Sequence, residues 1–190
     1  MLDQRTEANV TLAAIIYDKG FRIDDFMTLV AARLEAEGIR VSGLVQENFG
    51  DDPNCSVMTL VDLGSSGRFG ISQDLGEHAR GCRLDPHGLA DAGGQLDQVL
   101  AGGTDLLILN KFGKAEAEQG AGLRSAVARA LECGVPVLTA VRPPYAQSWD
   151  DFHGGLATAL VPEIEAVLTW CRQAAAERRT AHDAAATSAT

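Results

Sequence analysis

Thr11–Asp24 reads "TLAAIIYDKGFRID". The aliphatic, partly β-branched run to Tyr17 has the composition of a strand covered on both faces. Asp18, Lys19 and Gly20 then turn the chain, and a helix begins near Asp24. Phe26, Leu29, Val30 and Leu34 keep helical spacing, and Gly38 supplies a stop. A helix that opens directly after a buried strand is a place where many α/β proteins hold a phosphate. Its first N–H groups are unpaired and its N-terminus carries partial positive charge.

The same alternation continues outward. Val41–Val45 is a second short strand, and Ser56–Ser72, "SVMTLVDLGSSGRFGIS", reads as a hairpin turning at Gly-Ser-Ser-Gly. Asp85-Pro86 has the form of an N-cap with proline in the first turn, opening a helix to about Leu100. "DLLILN" (Asp105–Asn110) and Val135–Val141 are further buried strands, with one helix over Ala115–Cys133 between them. Pro162 starts a last helix carrying Ile164, Val167, Leu168 and Cys171. Buried strands alternating with helices predict a three-layer α/β domain on a mainly parallel sheet, with the inserted β-hairpin at one edge. The expected single domain spans residues 10–173. Residues 174–190, Ala/Thr-rich and polar, are expected to form a fraying helix end and a disordered tail.

The chain has 190 residues and a formal charge of −10. That balance argues against broad binding to nucleic acid or to anionic membranes. Apolar residues make up 46%, and no stretch has the length of a spanning helix, so membrane insertion is not expected. Met1–Asn9 lacks the apolar centre of an export signal. Cys55, Cys82, Cys133 and Cys171 are scattered, with no C-x-x-C pair, so reduced thiols and a cytoplasmic location are expected. A homodimer is compatible with the chain, which carries no direct interface signal.

All three lysines, Lys19, Lys111 and Lys114, fall just after predicted buried strands. Arg22 lies in the first loop, and Arg142 follows "VPVLTAV". Ligands in parallel sheets bind beyond the carboxyl ends of the strands, so convergence of these cations there would form an anion funnel on an acidic protein. The alternative is ordinary solvated pairing with Asp24, Asp25, Glu116 or Glu118, in which each exposed pair contributes only about 0–1 kcal/mol.

"GIRVSGLVQEN" (Gly38–Asn48), "VDL" (Val61–Leu63) and "DLLILNKFGK" (Asp105–Lys114), in this order, resemble P-loop nucleoside-triphosphatases of the small thermophile type from about Leu12 to Val141. "ISQDLG", "GCRLDPHGLA", "DLLILNKFGKAEAEQGAGLR" and "FHGGLATAL" resemble more closely an uncharacterised bacterial family with a domain of unknown function. Its members are often labelled molybdenum-transport ATP-binding proteins. That likeness covers roughly Ala13–Cys171. It implies a P-loop-like architecture whose nucleotide machinery is altered here. The last loop glycine falls at Arg22, the phosphate-gripping lysine at Ile23 and the magnesium-binding Ser/Thr at Asp24. Only Gly20 keeps a glycine. Where hydrolysing relatives end the strand in Asp-Glu, this chain has Asn110-Lys111. Magnesium binding is therefore doubtful.

Other residues allow two readings. Cys82 before the Asp85 helix could be an activated thiol, but a small buried residue is favoured. His78, His87 and His153 read as polar or capping residues, because no four-ligand zinc pattern exists. Gln73 and Arg83 are candidate donors beside the anion edge, as is Arg124. Trp149, Phe152 and Gly154-Gly155 could form a lid, though aromatic staples docking a helix are favoured. The expected function is binding of a small anionic ligand, a nucleotide or an oxyanion such as molybdate, by Lys19, Gly20, Arg22, Lys111, Lys114, Arg142, Gln73 and Arg83. Alternatives are an active nucleoside-triphosphatase with atypical residues and a non-catalytic interaction protein with a vestigial site.

Overall fold

The structure is a computed structural model that describes residues 11–49, 57–65, 67–73, 83–84, 96, 99–100, 103–120 and 122–188. The strands are β1 (Leu12–Ile16), β2 (Val41–Phe49), β3 (Val57–Asp62), β4 (Arg68–Gly70), β5 (Ser72–Gln73), β6 (Arg83–Leu84), β7 (Leu106–Leu109), β8 (Val137–Val141) and β9 (Thr158–Leu160). The helices are α1 (Ile23–Ala36), α2 (Lys114–Gln119), α3 (Arg124–Glu132), α4 (Ala146–His153) and α5 (Ile164–Ser188). A 3-10 turn, Pro143–Tyr145, precedes α4.

The main sheet runs β4-β3-β2-β7-β8-β1-β9. Neighbours from β2 to β9 are parallel, and β3 and β4 add the antiparallel hairpin at one edge. Alternate side chains leave opposite faces of each strand. Ile15, Ile108 and Leu138 therefore join Met27, Val30 and Leu34 of α1 and Val167, Leu168 and Cys171 of α5 in one core. Leu107, Leu109 and Val137 join Val127 and Ala130 of α3 and Trp149 of α4 in the other. Each fully buried aliphatic side chain contributes about 1.5–3 kcal/mol over its exposed state, and two such layers hold the sheet rigid. Among the described residues, no helix is long and apolar enough to cross a membrane.

Several expectations need correction. The helix over Ala115–Cys133 is two helices, because Gly120 and Gly122 take φ of 62° and 69° and break it. Leu29 is 45% exposed, so the inward face of α1 is Ile23, Met27, Val30, Ala31 and Leu34. Residues 174–188, expected as tail, are helical. Ala174 and Ala175 are buried, Arg172 grips Glu37 at 2.8 Å, and Arg179 reaches Asp105 at 2.6 Å. Positions 96, 99 and 100 are helical as expected, whereas Asp85 and Pro86 lie outside the described residues, as do Cys55, Cys82, His78, His87 and the segment Met1–Asn9.

Asp105, 1% exposed, anchors the end of the sheet where β7 begins. It accepts from the Arg40 backbone N–H and guanidinium and from Arg179. Burial pushes its carboxyl pKa up, but the hydrogen bonds from both arginines outweigh this and hold it well below the ordinary 3.8. At the other extreme of tight packing, Gly43 in β2 has φ of 126°, and a Cβ there would sit 1.9 Å from the Ile108 carbonyl oxygen.

Gly43→Ala is expected to lower stability by about 2 kcal/mol or more, read as a shifted urea midpoint, because both conformation and space forbid a methyl group. Asp105→Asn is expected to cost about 1–2 kcal/mol near neutral pH once solvent screening of the half-exposed guanidinium groups is allowed for. A depressed carboxyl pKa stabilises fully above the unfolded value and progressively less as pH falls through the folded one. Urea unfolding should therefore show the two proteins converging as the pH drops below about 4.

Candidate functional site

Residues from four parallel strands, at or near their carboxyl ends, line a cleft of about 240 Å³. Tyr17 follows β1, Gln46 lies in β2, and Asn110 to Gly113 follow β7. Arg142 and Tyr145 follow β8, and Lys114 opens α2. Leu60 of β3, Ile71 after β4, and Leu123 before α3 add apolar surface to the lining. This is the carboxyl edge of the parallel strands, and β1 lies between β8 and β9, where the chain's crossovers diverge.

Of the residues picked out from sequence, Lys111, Lys114 and Arg142 come together in this cleft. Lys19, Gly20 and Arg22 lie on the exposed loop after β1 and are not among its lining residues. Arg22 is turned back onto Asp25 of its own helix. Gln73 and Arg83 face each other in register across the β5–β6 ladder, which places their backbones together. Arg124 is occupied: it donates to the Glu116 carbonyl at 3.1 Å and lies 4.6 Å from the Phe152 ring centre.

The positions that the resemblance sets against a P-loop have definite roles. Ile23, where a phosphate-gripping lysine would stand, is 4% exposed and part of the core. Asp24 accepts from the Lys111 ammonium at 2.8 Å and from the Asn110 amide at 3.2 Å. An internal carboxylate thus occupies the first turn of α1, where an acid interacts favourably with the helix dipole. The Asn110 amide also donates to Gln46 at 3.4 Å, which leaves its Oδ1 buried without a partner. Arg142 Nε is likewise buried and unpartnered. Glu116 shapes the floor of the loop. Its carboxylate accepts from the N–H groups of Gly113 and Leu123, both at 3.0 Å.

Tyr17 is 7% exposed and its phenol pKa is pushed up to about 12. Burial is the main cause, and the Asp24 charge adds to it while Arg142 opposes it. Behind the cleft, Phe112 meets Trp149 edge-on at 5.1 Å and stacks with Phe152 at 5.7 Å. Trp149 is 3% exposed, so these aromatics dock α4 onto the sheet as staples. His153 Nδ1 accepts from the N–H groups of Gly155 and Ala157, a capping role. Cys171 is buried and its thiol pKa is pushed up to about 12 by that burial, which makes it unreactive at neutral pH.

The sequence reading missed Tyr17, Gln46, Leu60, Ile71 and Tyr145 as cleft residues. Gln46 carried a signal, being a polar residue continuing the buried run Val41–Val45. The apolar members carried none, because Leu60 and Ile71 read as ordinary hairpin core.

A family model described as "Protein of unknown function (DUF2478)" matches residues 12–170. The molybdenum import ATP-binding protein ModC 2 of Bradyrhizobium diazoefficiens is 38% identical over 177 residues. That match takes in 91% of this chain, and the chain spans about a fifth of the relative's length (20%). The solution structure of a human cancer-related nucleoside triphosphatase superposes with a TM-score of 0.56 at 14% identity, covering 78% of this chain and 88% of that one. With the strand order above, this gives the domain a P-loop nucleoside-triphosphatase-like architecture.

A Tyr145→Phe protein, which retains Tyr17 as its one tyrosine, is expected to ionise in an ultraviolet titration with a midpoint near 12. Adding Asp24→Asn should move that midpoint down. A raised phenol pKa means the fold favours the neutral form, so stability falls as pH rises from about 10 toward the folded value.

Proposed function

The chain belongs to the DUF2478 family, and on that premise we propose that its central cleft binds a small anionic ligand, a nucleotide or an oxyanion such as molybdate, without magnesium. The observation that carries this reading is Arg142. Its guanidinium lines the cleft with Nε buried and unpartnered, and Lys111 and Lys114 line the same space. A buried donor without an acceptor costs about 1–3 kcal/mol, more when charged, and an incoming anion would recover it. Guanidinium and ammonium groups together suit phosphate-like oxygens.

The residues present do not fit a magnesium ion at the usual place. The Asp24 carboxylate faces two donors, Lys111 and the Asn110 amide, and a divalent ion would have to displace the ammonium. Lys111 already supplies positive charge at that point, so the proposed ligand is taken up as the bare anion and no hydrolysis is proposed. The names of the relative and of the solved structure, which speak of molybdenum import, ATP binding and a nucleoside triphosphatase, support nucleotides and molybdate as the first ligands to try. The proposal rests on Lys111, Lys114 and Arg142 rather than on the Lys19–Arg22 loop.

The test is a thermal-shift and calorimetric screen of phosphate, sulfate, molybdate and mono-, di- and triphosphate nucleotides, each with magnesium and with EDTA. At least one anion should stabilise the protein, by about 2.7 kcal/mol at one hundred times its Kd, equally in EDTA. Arg142→Ala should weaken it at least about tenfold, in keeping with the loss of one charge-assisted hydrogen bond. Strictly magnesium-dependent binding, phosphate release from ATP, or no binding by any anion would contradict the proposal.

A further inference from the structure

The cleft is not built evenly. Its lining combines the cations Lys111, Lys114 and Arg142 with an aliphatic surface of Leu60, Ile71 and Leu123, all three buried. Two of these aliphatic residues come from the hairpin that extends the parallel sheet. A bare tetrahedral oxyanion exposes acceptor oxygens in every direction. Oxygens turned to an aliphatic wall would lose water and gain no donor. The cleft, at about 240 Å³, also has more room than one oxyanion needs, yet falls below the roughly 300–1,000 Å³ of pockets for drug-sized ligands.

Asn110 adds a requirement of its own. It is 2% exposed and lines the cleft, with its Oδ1 lacking any hydrogen-bond partner. Its amide cannot be reversed without cost, because the oxygen would then face the Asp24 carboxylate that the NH₂ group now satisfies. The site thus offers a buried acceptor that needs a donor; molybdate and sulfate, fully ionised at neutral pH, have none to give, and the O–H of hydrogen phosphate cannot reach it while its oxygens also meet the cations and avoid the aliphatic surface.

We infer that the ligand is a compact organic anion: a flat heteroaromatic ring bearing N–H donors and one phosphate or carboxylate group. This rests on the anion-binding reading above. The anionic group meets Arg142 and the lysines, the ring lies along the wall of Leu60, Ile71 and Leu123, and a ring N–H donates to Asn110. The inserted hairpin is then a specificity element, since it supplies the surface that separates organic from inorganic anions.

The unmodified protein is titrated in EDTA with inorganic phosphate, molybdate, benzoate, orotate and uridine monophosphate. Orotate and benzoate carry the same charge on a six-membered ring, but only orotate has ring N–H donors. Uridine monophosphate keeps one of these ring donors, the N3–H, and carries a phosphate on its ribose in place of the carboxylate. At least one of orotate and uridine monophosphate should bind ten or more times more tightly than benzoate, phosphate and molybdate, and which of the two leads tells carboxylate from phosphate. Methyl NMR signals of Leu60, Ile71 and Leu123 should move with that ligand and stay in place with phosphate. If phosphate or molybdate binds as tightly as both donor-bearing anions, or benzoate equals them, this inference is overturned while anion binding at the cleft stands. If no anion binds at all, both fall.

Discussion

The ion pair between Asp24 and Lys111 fixes the character of the cleft. It ties the start of α1, which follows β1, to the end of β7, two strands separated in the sheet by β8. In a strand-turn-helix unit the first turn of the helix is where a bound anion would profit most from free N–H groups and the helix dipole. Here a carboxylate of the chain itself fills that role, and an ammonium from the end of β7 balances it. Asn110 joins the pair from the same strand end. In the proposed binding mode an external anion would lie toward Arg142 and Lys114, away from the α1 N-terminus. A divalent ion beside Asp24 would have to displace the Lys111 ammonium from this pair.

The two ends of the parallel sheet do different work. At the amino end of β7, Asp105 is saturated by Arg40 and Arg179, which closes α5 onto the sheet. At the carboxyl end, polar groups remain unmatched at Asn110 and Arg142. Charges with all partners satisfied stabilise a fold, whereas unsatisfied buried ones raise its free energy until something binds. The rigid sheet between the two ends, packed on both faces, holds the unmatched groups in place. Binding then requires little further ordering of the protein.

Much of this architecture was legible in the sequence because parallel strands buried on both faces appear as unbroken apolar runs. β1, β7 and β8 fall where "LAAII", "LLIL" and "VLTAV" stand. The cations that follow β7 and β8 were legible for the same reason, since the residue after such a run sits at the carboxyl edge. Lys19 and Arg22 also follow a strand but do not line this cleft, because a position after a strand does not set the direction of a long side chain, and Arg22 is drawn to Asp25. The tail misled because its partners are remote: Glu37 and Asp105 lie far from Arg172 and Arg179 in the chain, and local composition shows only alanine and polar residues. The break between α2 and α3 depends on positive-φ backbone at Gly120 and Gly122, the latter close against the Glu116 side chain, which a helical periodicity runs straight through. The cleft's apolar wall was hidden in plain hairpin residues, for burial in a core and burial beside a ligand share one sequence pattern.

The most direct measurement is the side-chain NMR signal of the Arg142 Nε–H, followed through titration of a small anion in the presence of EDTA. The account predicts a saturable shift of that signal together with the Lys111 and Lys114 ammonium-bearing side chains, while Lys19 and Arg22 hold still. Saturable movement of Lys19 and Arg22 with Arg142 unchanged, or movement of Arg142 only when magnesium is supplied, would contradict it.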